Sequence, residues 1–334
     1  MKWLTLILVP SVALAQSKAA RVAPIVPLKP FTAPSWAIPS APPPATIPKP
    51  DSTVWHHIAG SSRAYTMKQV NNAFDIPDWF PDAHPPAPRS VMYGTRPNGR
   101  ACGYCHLPNG AGRPENGTLA GLPAAYTLAQ VRAFRDSTRK SASKDWMINA
   151  MHAVATGVTD DEVREAAAYF ETLTLRRPNR IVETATVPTT RVELMLHAKN
   201  DGNSTEPLGQ RLIEVPDEWL RHELRDPTVL YTTYVPPGTV ARGRRVVTQG
   251  PAGVATACAT CHGPDLLGMA GTPPLAGRSP AAMLRQLVSF RTGARADSAS
   301  VLMRPVVNAL TIDDMVAAAA YLGGLPPSRR GARR

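Results

Sequence analysis

The sequence predicts a mainly α-helical protein in which two copies of one small domain are joined by an irregular, strand-containing connector. The prediction rests on an internal duplication, a five-residue motif that opens each copy, and helix-start signals at matching places. The first unit holds Leu119-Ala120-Gly121, Leu128, Gln130 and Phe134-Arg135; 156 positions later the second holds Leu275-Ala276-Gly277, Leu284, Gln286 and Phe290-Arg291. Towards the end of each unit the separation becomes 152, pairing Thr159 with Thr311, Asp161 with Asp313, and Ala166-Ala167-Ala168-Tyr169 with Ala318-Ala319-Ala320-Tyr321. The first unit therefore carries four extra residues between Phe134 and Thr159.

Residues 1–15 have the layout of a secretory signal: Lys2, an apolar run from Leu4 to Ala13, and Ala13-Leu14-Ala15 as a small-x-small cleavage site before Gln16. The run is shorter than the roughly 20 residues that span a bilayer as a helix. Residues 16–50 are dense in proline and alanine, and Ala41-Pro42-Pro43-Pro44 bars a helix or central strand, so an extended, solvated tether is expected. Residues 51–95, with Trp55, Tyr65, Trp79 and Phe80, are expected to pack on the first domain; His56, His57 and His84 there read as surface or packing residues. The first domain covers 96–178. Its motif lies on a short helix, a second helix follows Thr127, and the last starts at the capping-box pattern Thr159-Asp160-Asp161-Glu162.

The connector, 179–243, changes to short extended runs. Arg191-Val192-Glu193-Leu194-Met195-Leu196 alternates in part, and Arg211-Leu212-Ile213-Glu214-Val215 ends at Pro216. So many apolar residues imply that it lies against both domains. In the second domain, 244–326, a helix begins at Ser279-Pro280, where proline suits the first helical position. The last helix begins at Thr311, with Asp313 and Asp314 in its first turn, and stops at Gly323-Gly324 before Pro326. Residues 327–334 form a basic tail that reads as solvated.

All four cysteines fall in Cys102-Gly103-Tyr104-Cys105-His106 and Cys258-Ala259-Thr260-Cys261-His262. C-x-x-C-H is the attachment sequence of a c-type haem. The two thiols form thioethers with the haem vinyl groups, and the histidine binds iron. Paired C-x-x-C zinc sites usually stand about 15 to 20 residues apart, against 156 here. A thiol-redox pair leaves both histidines unexplained, and neither motif lies in a strand-helix-strand pattern. Two covalently attached haem c groups are therefore expected, on Cys102 and Cys105 and on Cys258 and Cys261, with His106 and His262 on the irons. A haem in each domain also supplies core that the composition lacks: 35 prolines and 6% aromatic residues argue against one large packed interior.

The order of haem motif, Leu-Ala-Gly loop, methionine and terminal Ala-Ala-Tyr helix resembles the class I cytochromes c, and the duplication resembles their two-domain dihaem members. It covers roughly Arg100 to Leu173 and Ala257 to Leu325. The resemblance implies a methionine sulfur opposite each histidine, in the loop before the last helix. In the second domain this is Met303, eight residues before Thr311. In the first, the same count from Thr159 gives Met151, whereas the 156-residue offset gives Met147; the shorter distance to the capped helix favours Met151. His152 is a rival ligand there. His197 and His222 have no counterpart in the repeat and read as structural. A thioether opposite histidine raises the potential and leaves no axial position for oxygen or peroxide.

The implied function is that of a periplasmic dihaem c-type cytochrome passing single electrons between redox partners, an electron-transfer protein rather than an enzyme. The formal net charge of +12 attracts acidic patches on donor and acceptor proteins, and is compatible with peripheral association with anionic headgroups. Nucleic acid is a poor partner for an exported chain without a nucleic-acid-binding motif. Two rival readings remain: a dihaem peroxidase with one open axial position, and a cytochrome subunit docked on a dehydrogenase complex.

Overall fold

In the computed structural model, the described residues are 26–42, 49–142, 146–175, 179–251, 256–269 and 271–327, with side chains from 150 onward in the segment that starts at 146. Residues 1–15, read above as a secretory signal, the tail beyond Pro327 and the Met147 side chain lie outside them.

The chain first forms the hairpin β1 (Trp55–His57) and β2 (Ala64–Thr66), then two single-turn helices, α1 (Met67–Val70) and α2 (Arg89–Met92). Ile58, Val70 and Trp79 make a small core here, closed by Leu224 of the connector. A backbone bond from Ile76 N to Met92 O (3.2 Å) ties the two halves of this extension together, and one from Ala101 N to Ala73 O (2.9 Å) fastens it to the first domain.

The first domain comprises α3 (Cys102–His106), α4 (Ala124–Arg135), α5 (Trp146–Gly157) and α6 (Asp160–Thr172). Helix α4 starts earlier than the expected position after Thr127. Pro123 occupies its N-cap, and the Glu171 side chain accepts the Ala124 N–H at 3.1 Å. The capping box of α6 is present: Glu162 N donates to Thr159 Oγ1 at 3.2 Å, and Thr159 N to Glu162 Oε2 at 2.7 Å. Val163, Ala166, Ala167 and Phe170 on α6 are buried at helical spacing.

The connector holds β3 (Asn179–Glu183), β4 (Thr186–Pro188), β5 (Thr190–Glu193), β6 (Leu196–Lys199), β7 (Thr205–Pro207), β8 (Ile213–Pro216), α7 (Trp219–Glu223) and β9 (Tyr231–Val235). β9 lies between β3, parallel, and β8, antiparallel; β4 pairs with β7 and β5 with β6. The run 191–196 is thus a hairpin and not one strand, because Leu194 turns the chain at φ 56°. The connector touches both domains. Arg225 bonds Tyr104 O at 3.0 Å in the first, and Glu214 Oε2 accepts Ser279 Oγ and Ala281 N, each at 2.8 Å, in the second.

The second domain contains α8 (Thr239–Gln249), α9 (Cys258–His262), α10 (Pro280–Arg291), α11 (Arg304–Ala309) and α12 (Ile312–Gly324). Pro280 sits at the start of α10 with Ser279 capping Ala282 N at 3.1 Å, and Thr311 and Asp314 form the capping box of α12. Val247, Leu284, Val288, Met315 and Ala319 are the centre of the core.

The proline-rich segment departs from the solvated tether expected for it. Residues 26–42 run along the second domain, with Ala37 and Ile38 buried in its core and Phe31, Ala33 and Trp36 packed on it. Asn308 accepts from Lys29 N at 3.0 Å and donates to Pro27 O at 2.8 Å, Arg291 bonds Lys29 O and Pro30 O, and Ala41 N reaches Leu194 O at 2.8 Å. Apolar side chains between the prolines gain burial, and proline costs little backbone entropy to fix.

Candidate haem-binding sites

Each C-x-x-C-H motif forms one short helix, α3 or α9, so both thiols and the histidine come from a single turn and a half of backbone. His106 Nδ1 lies 2.6 Å from Gly117 O, and His262 Nδ1 lies 2.8 Å from Pro273 O, a carbonyl at the equivalent place in the repeat. A carbonyl accepts only, so the proton sits on Nδ1 and Nε2 keeps its lone pair for a metal. Burial lowers the pKa of both histidines and keeps them neutral. It pushes the Cys102 thiol up to about 12 and the Cys258 thiol up to about 11. Zinc-binding and redox C-x-x-C pairs need the opposite shift.

The Leu-Ala-Gly loops hold both sites against the last helices in the same manner. Gly121 N bonds Phe170 O and Gly277 N bonds Leu322 O, each at 2.9 Å, with the glycines at φ 70° and 72°. A side chain is disfavoured at that φ, which explains glycine in both loops.

Met303 ends a 3₁₀ turn, Ser300–Met303, that runs into α11, and its side chain packs against the second domain's core. Met151 is half-buried on α5. The ends of α5 and α11, Gly157 and Ala309, are 152 positions apart, as are Met151 and Met303. The 156-residue offset holds as far as Arg139, whose backbone bridges Arg295. The four extra residues therefore lie between Lys140 and Met151. The His152 ring is directed at Phe134 O, 2.6 Å from Nδ1. His84 is bound by Tyr169 OH at 2.9 Å and Asp78 at 3.3 Å, His197 by Thr190 at 3.1 Å and His222 by Tyr231 OH at 2.9 Å. The sequence-derived candidates thus separate into two domain sites, with His84, His197 and His222 outside both.

Between the domains lies a polar cluster that sequence reasoning missed. Arg139 donates to Gln130 Oε1 (2.7 Å) and Gln286 Oε1 (3.1 Å), while Arg295 donates to Gln286 Oε1 (3.0 Å) and Gln130 Oε1 (2.7 Å). Arg139 also stacks on Phe134 and Arg295 on Phe290. These pairs are each 156 positions apart, so a local two-fold relation joins the domains. The repeated Phe-Arg-x-x-x-Arg pattern was the available signal. Arg278 adds bonds to Thr118 O (2.7 Å) and Ala120 O (3.0 Å), and Arg285 one to Pro114 O.

Among the described residues none of Arg139, Arg278, Arg285 and Arg295 makes an ion pair with a carboxylate. Burial brings Arg139 down to about 9 and Arg278 to about 10. Arg285 Nη1 and Arg295 Nε are buried without a hydrogen-bond partner. Buried cations without counter-charge are costly. A c-type haem fits these residues: thiol pairs and free imidazole nitrogens for its vinyl groups and iron, and orphaned guanidinium groups for its propionates.

The cytochrome c family model matches residues 91–174 and 240–326, together about half of the chain. A thiosulfate dehydrogenase electron acceptor of Stutzerimonas stutzeri (strain A1501) is 45% identical over 89 residues, 26% of this chain and 40% of that protein. Cytochrome c4 of Azotobacter vinelandii is 25% identical over 230 residues, covering 67% of this chain and 84% of the relative. A thiosulfate dehydrogenase electron acceptor of Thiomonas intermedia (strain K12) is 25% identical over 238 residues, 70% of this chain and 82% of that protein. The crystal structure of reduced recombinant cytochrome c4 from Pseudomonas stutzeri aligns with a TM-score of 0.45 at 22% identity, over 67% of this chain and 93% of that one. The chain belongs to the cytochrome c family and carries two of its domains, in the manner of the dihaem cytochromes c.

Proposed function

We propose that this protein is a periplasmic dihaem cytochrome c that passes single electrons between redox proteins. The reading is carried by the paired attachment helices, α3 and α9, each with a histidine whose Nδ1 is fixed by a carbonyl. In each domain bound haem supplies a one-electron Fe(III)/Fe(II) couple. Cys102 and Cys105, and Cys258 and Cys261, would hold the group through thioethers, and His106 Nε2 and His262 Nε2 would each bind an iron. Met151 and Met303 would each supply a sulfur ligand to it. The common spacing of these methionines to the ends of α5 and α11 supports Met151 over Met147. Iron held by a histidine and a methionine would leave peroxide no site, which argues against the peroxidase reading.

Arg139, Arg278, Arg285 and Arg295 would hold the propionates. Arginine charge beside the propionates would offset the anions' preference for ferric iron and so raise the potentials. A second reading concerns the donor. Two relatives are named as electron acceptors of thiosulfate dehydrogenase, which favours such a dehydrogenase as the protein that delivers electrons here.

Sulfur bound to ferric haem iron produces a weak far-red charge-transfer band. The oxidised protein is expected to show it at the intensity of two methionine-ligated haems, with Met151→Ala and Met303→Ala each removing half and Met147→Ala none. Full intensity in Met151→Ala would transfer the ligand role to Met147. A parent protein with one band or none would revive the peroxidase.

A further inference from the structure

The two attachment faces differ in what covers them. In the first domain the connector lies on α3 and its following loop. The Arg225 guanidinium stands 3.8 Å from the Tyr104 ring centre and bonds Tyr104 O at 3.0 Å. Arg113 reaches His222 O at 3.4 Å, and Glu115, paired with Arg113 at 2.9 Å, comes within 3.6 Å of His222 Nε2. The counterparts 156 positions on are Thr260, Met269 and Gly271, and all three are exposed, Met269 by 49%. Cys105 is half-buried where Cys261 is exposed. Nothing from the connector crosses this second face among the described residues. Helix α8 packs beside α9 and carries Arg244 and Arg245, both exposed and, among the described residues, without an ion pair.

We propose that the open face of the second domain, around Cys261 and Met269, is the port at which an acidic redox protein docks, and that the connector closes the corresponding face of the first domain. Electron exchange with that partner then passes through the second haem, and the first is served through the second. This rests on the reading of the protein as an electron carrier. An exposed face that carries Met269, with exposed cations on the neighbouring helix α8, suits a partner with an acidic patch, because the charges steer encounter while the Met269 contact allows close approach. The first domain offers instead a face on which Arg113, Glu115, Arg225 and His222 are already engaged.

The test is stopped-flow oxidation of the fully reduced, haem-loaded full-length protein by an acidic blue-copper protein at low ionic strength. Arg244→Glu with Arg245→Glu should lower the second-order rate by about tenfold or more and flatten its salt dependence. Arg63→Glu with Lys68→Glu makes the same change in net charge on the exposed N-terminal extension and should leave the rate within about twofold. Met269→Asp should slow the reaction beyond the effect of its charge, visible as a residual loss at high salt. Equal slowing by both charge-reversal pairs, or none by either, overturns the port. A protein that binds no haem, or whose haems dithionite does not reduce, would instead overturn the carrier reading itself.

Discussion

His197 on β6 stays a neutral imidazole in the fold down to about pH 4. Burial, seconded by Arg211, brings its pKa down to about 4 from 6.5, and its Nε2 is buried without a hydrogen-bond partner. As pH falls below 6.5 the unfolded chain takes up the proton first, so stability declines from there to about pH 4 and this contribution is constant below. His197→Asn, which can keep the bond to Thr190, is expected to flatten the fall of the melting temperature across that window. An unchanged slope would assign the acid sensitivity elsewhere. At this scale the sequence spoke clearly where chemistry imposes spacing: two thiols and an imidazole must come from one turn, and they do in α3 and α9. It marked Arg139 and Arg295 only as a repeated pattern and gave them no role, since an arginine's value here depends on what the other domain brings to it.

At the scale of elements, capped helices were legible because their signals are local. Thr159 with Glu162 and Thr311 with Asp314 satisfy their own helix ends within four residues of chain. Helix α8 was not read, although it supplies the closest helix packing of the second domain. Its signal is Gly243, where a Cβ would overlap Ala317 O of α12, followed by the buried pair Val246 and Val247. The first domain replaces it with the single turn α2, whose Ser90 Oγ bonds Glu165 at 2.6 Å, so the repeat gave no matching pattern. Gly243→Val should force α8 away from α12 and cost about 1–3 kcal/mol, as overpacking typically does. Denaturant unfolding reads this directly, and a loss below about 0.5 kcal/mol, the scale of ordinary surface substitutions, would show that the helices separate freely. The Arg242 pairs with Asp314 (2.9 Å) and Asp313 (3.4 Å) span the same helices near their exposed end. They are partly exposed and contribute less than the close backbone approach.

For the whole molecule, the organising feature is the interface that the duplication creates. Both domains place a glutamine and an arginine at equivalent positions, so one set of side chains satisfies the other across the local two-fold. Backbone bonds from Lys140 N to Ala294 O and from Ala296 N to Thr138 O, both 2.7 Å, repeat the relation. Composition alone concealed this: the proline-rich segment read as a tether, yet Ile38 reaches the interface beside Arg139, Arg285 and Gln286. The connector and the segment 26–42 thus add to a contact that the domains already make between themselves. The haem-loaded parent is accordingly expected to unfold in one calorimetric transition, because neither domain can lose its fold without stranding the other's arginine. Gln130→Leu with Gln286→Leu removes the acceptors of four guanidinium hydrogen bonds while keeping apolar volume. Hydrogen bonds to charged groups are worth about 1.5–3 kcal/mol each, and part of that loss returns through bonds to the remaining acceptors. The variant's transition should therefore fall by several degrees and broaden or split in two. A parent that already melts in two independent steps, or a variant with the parent's thermogram, would mean that the domains are held together by the connector and not by their shared arginine and glutamine cluster.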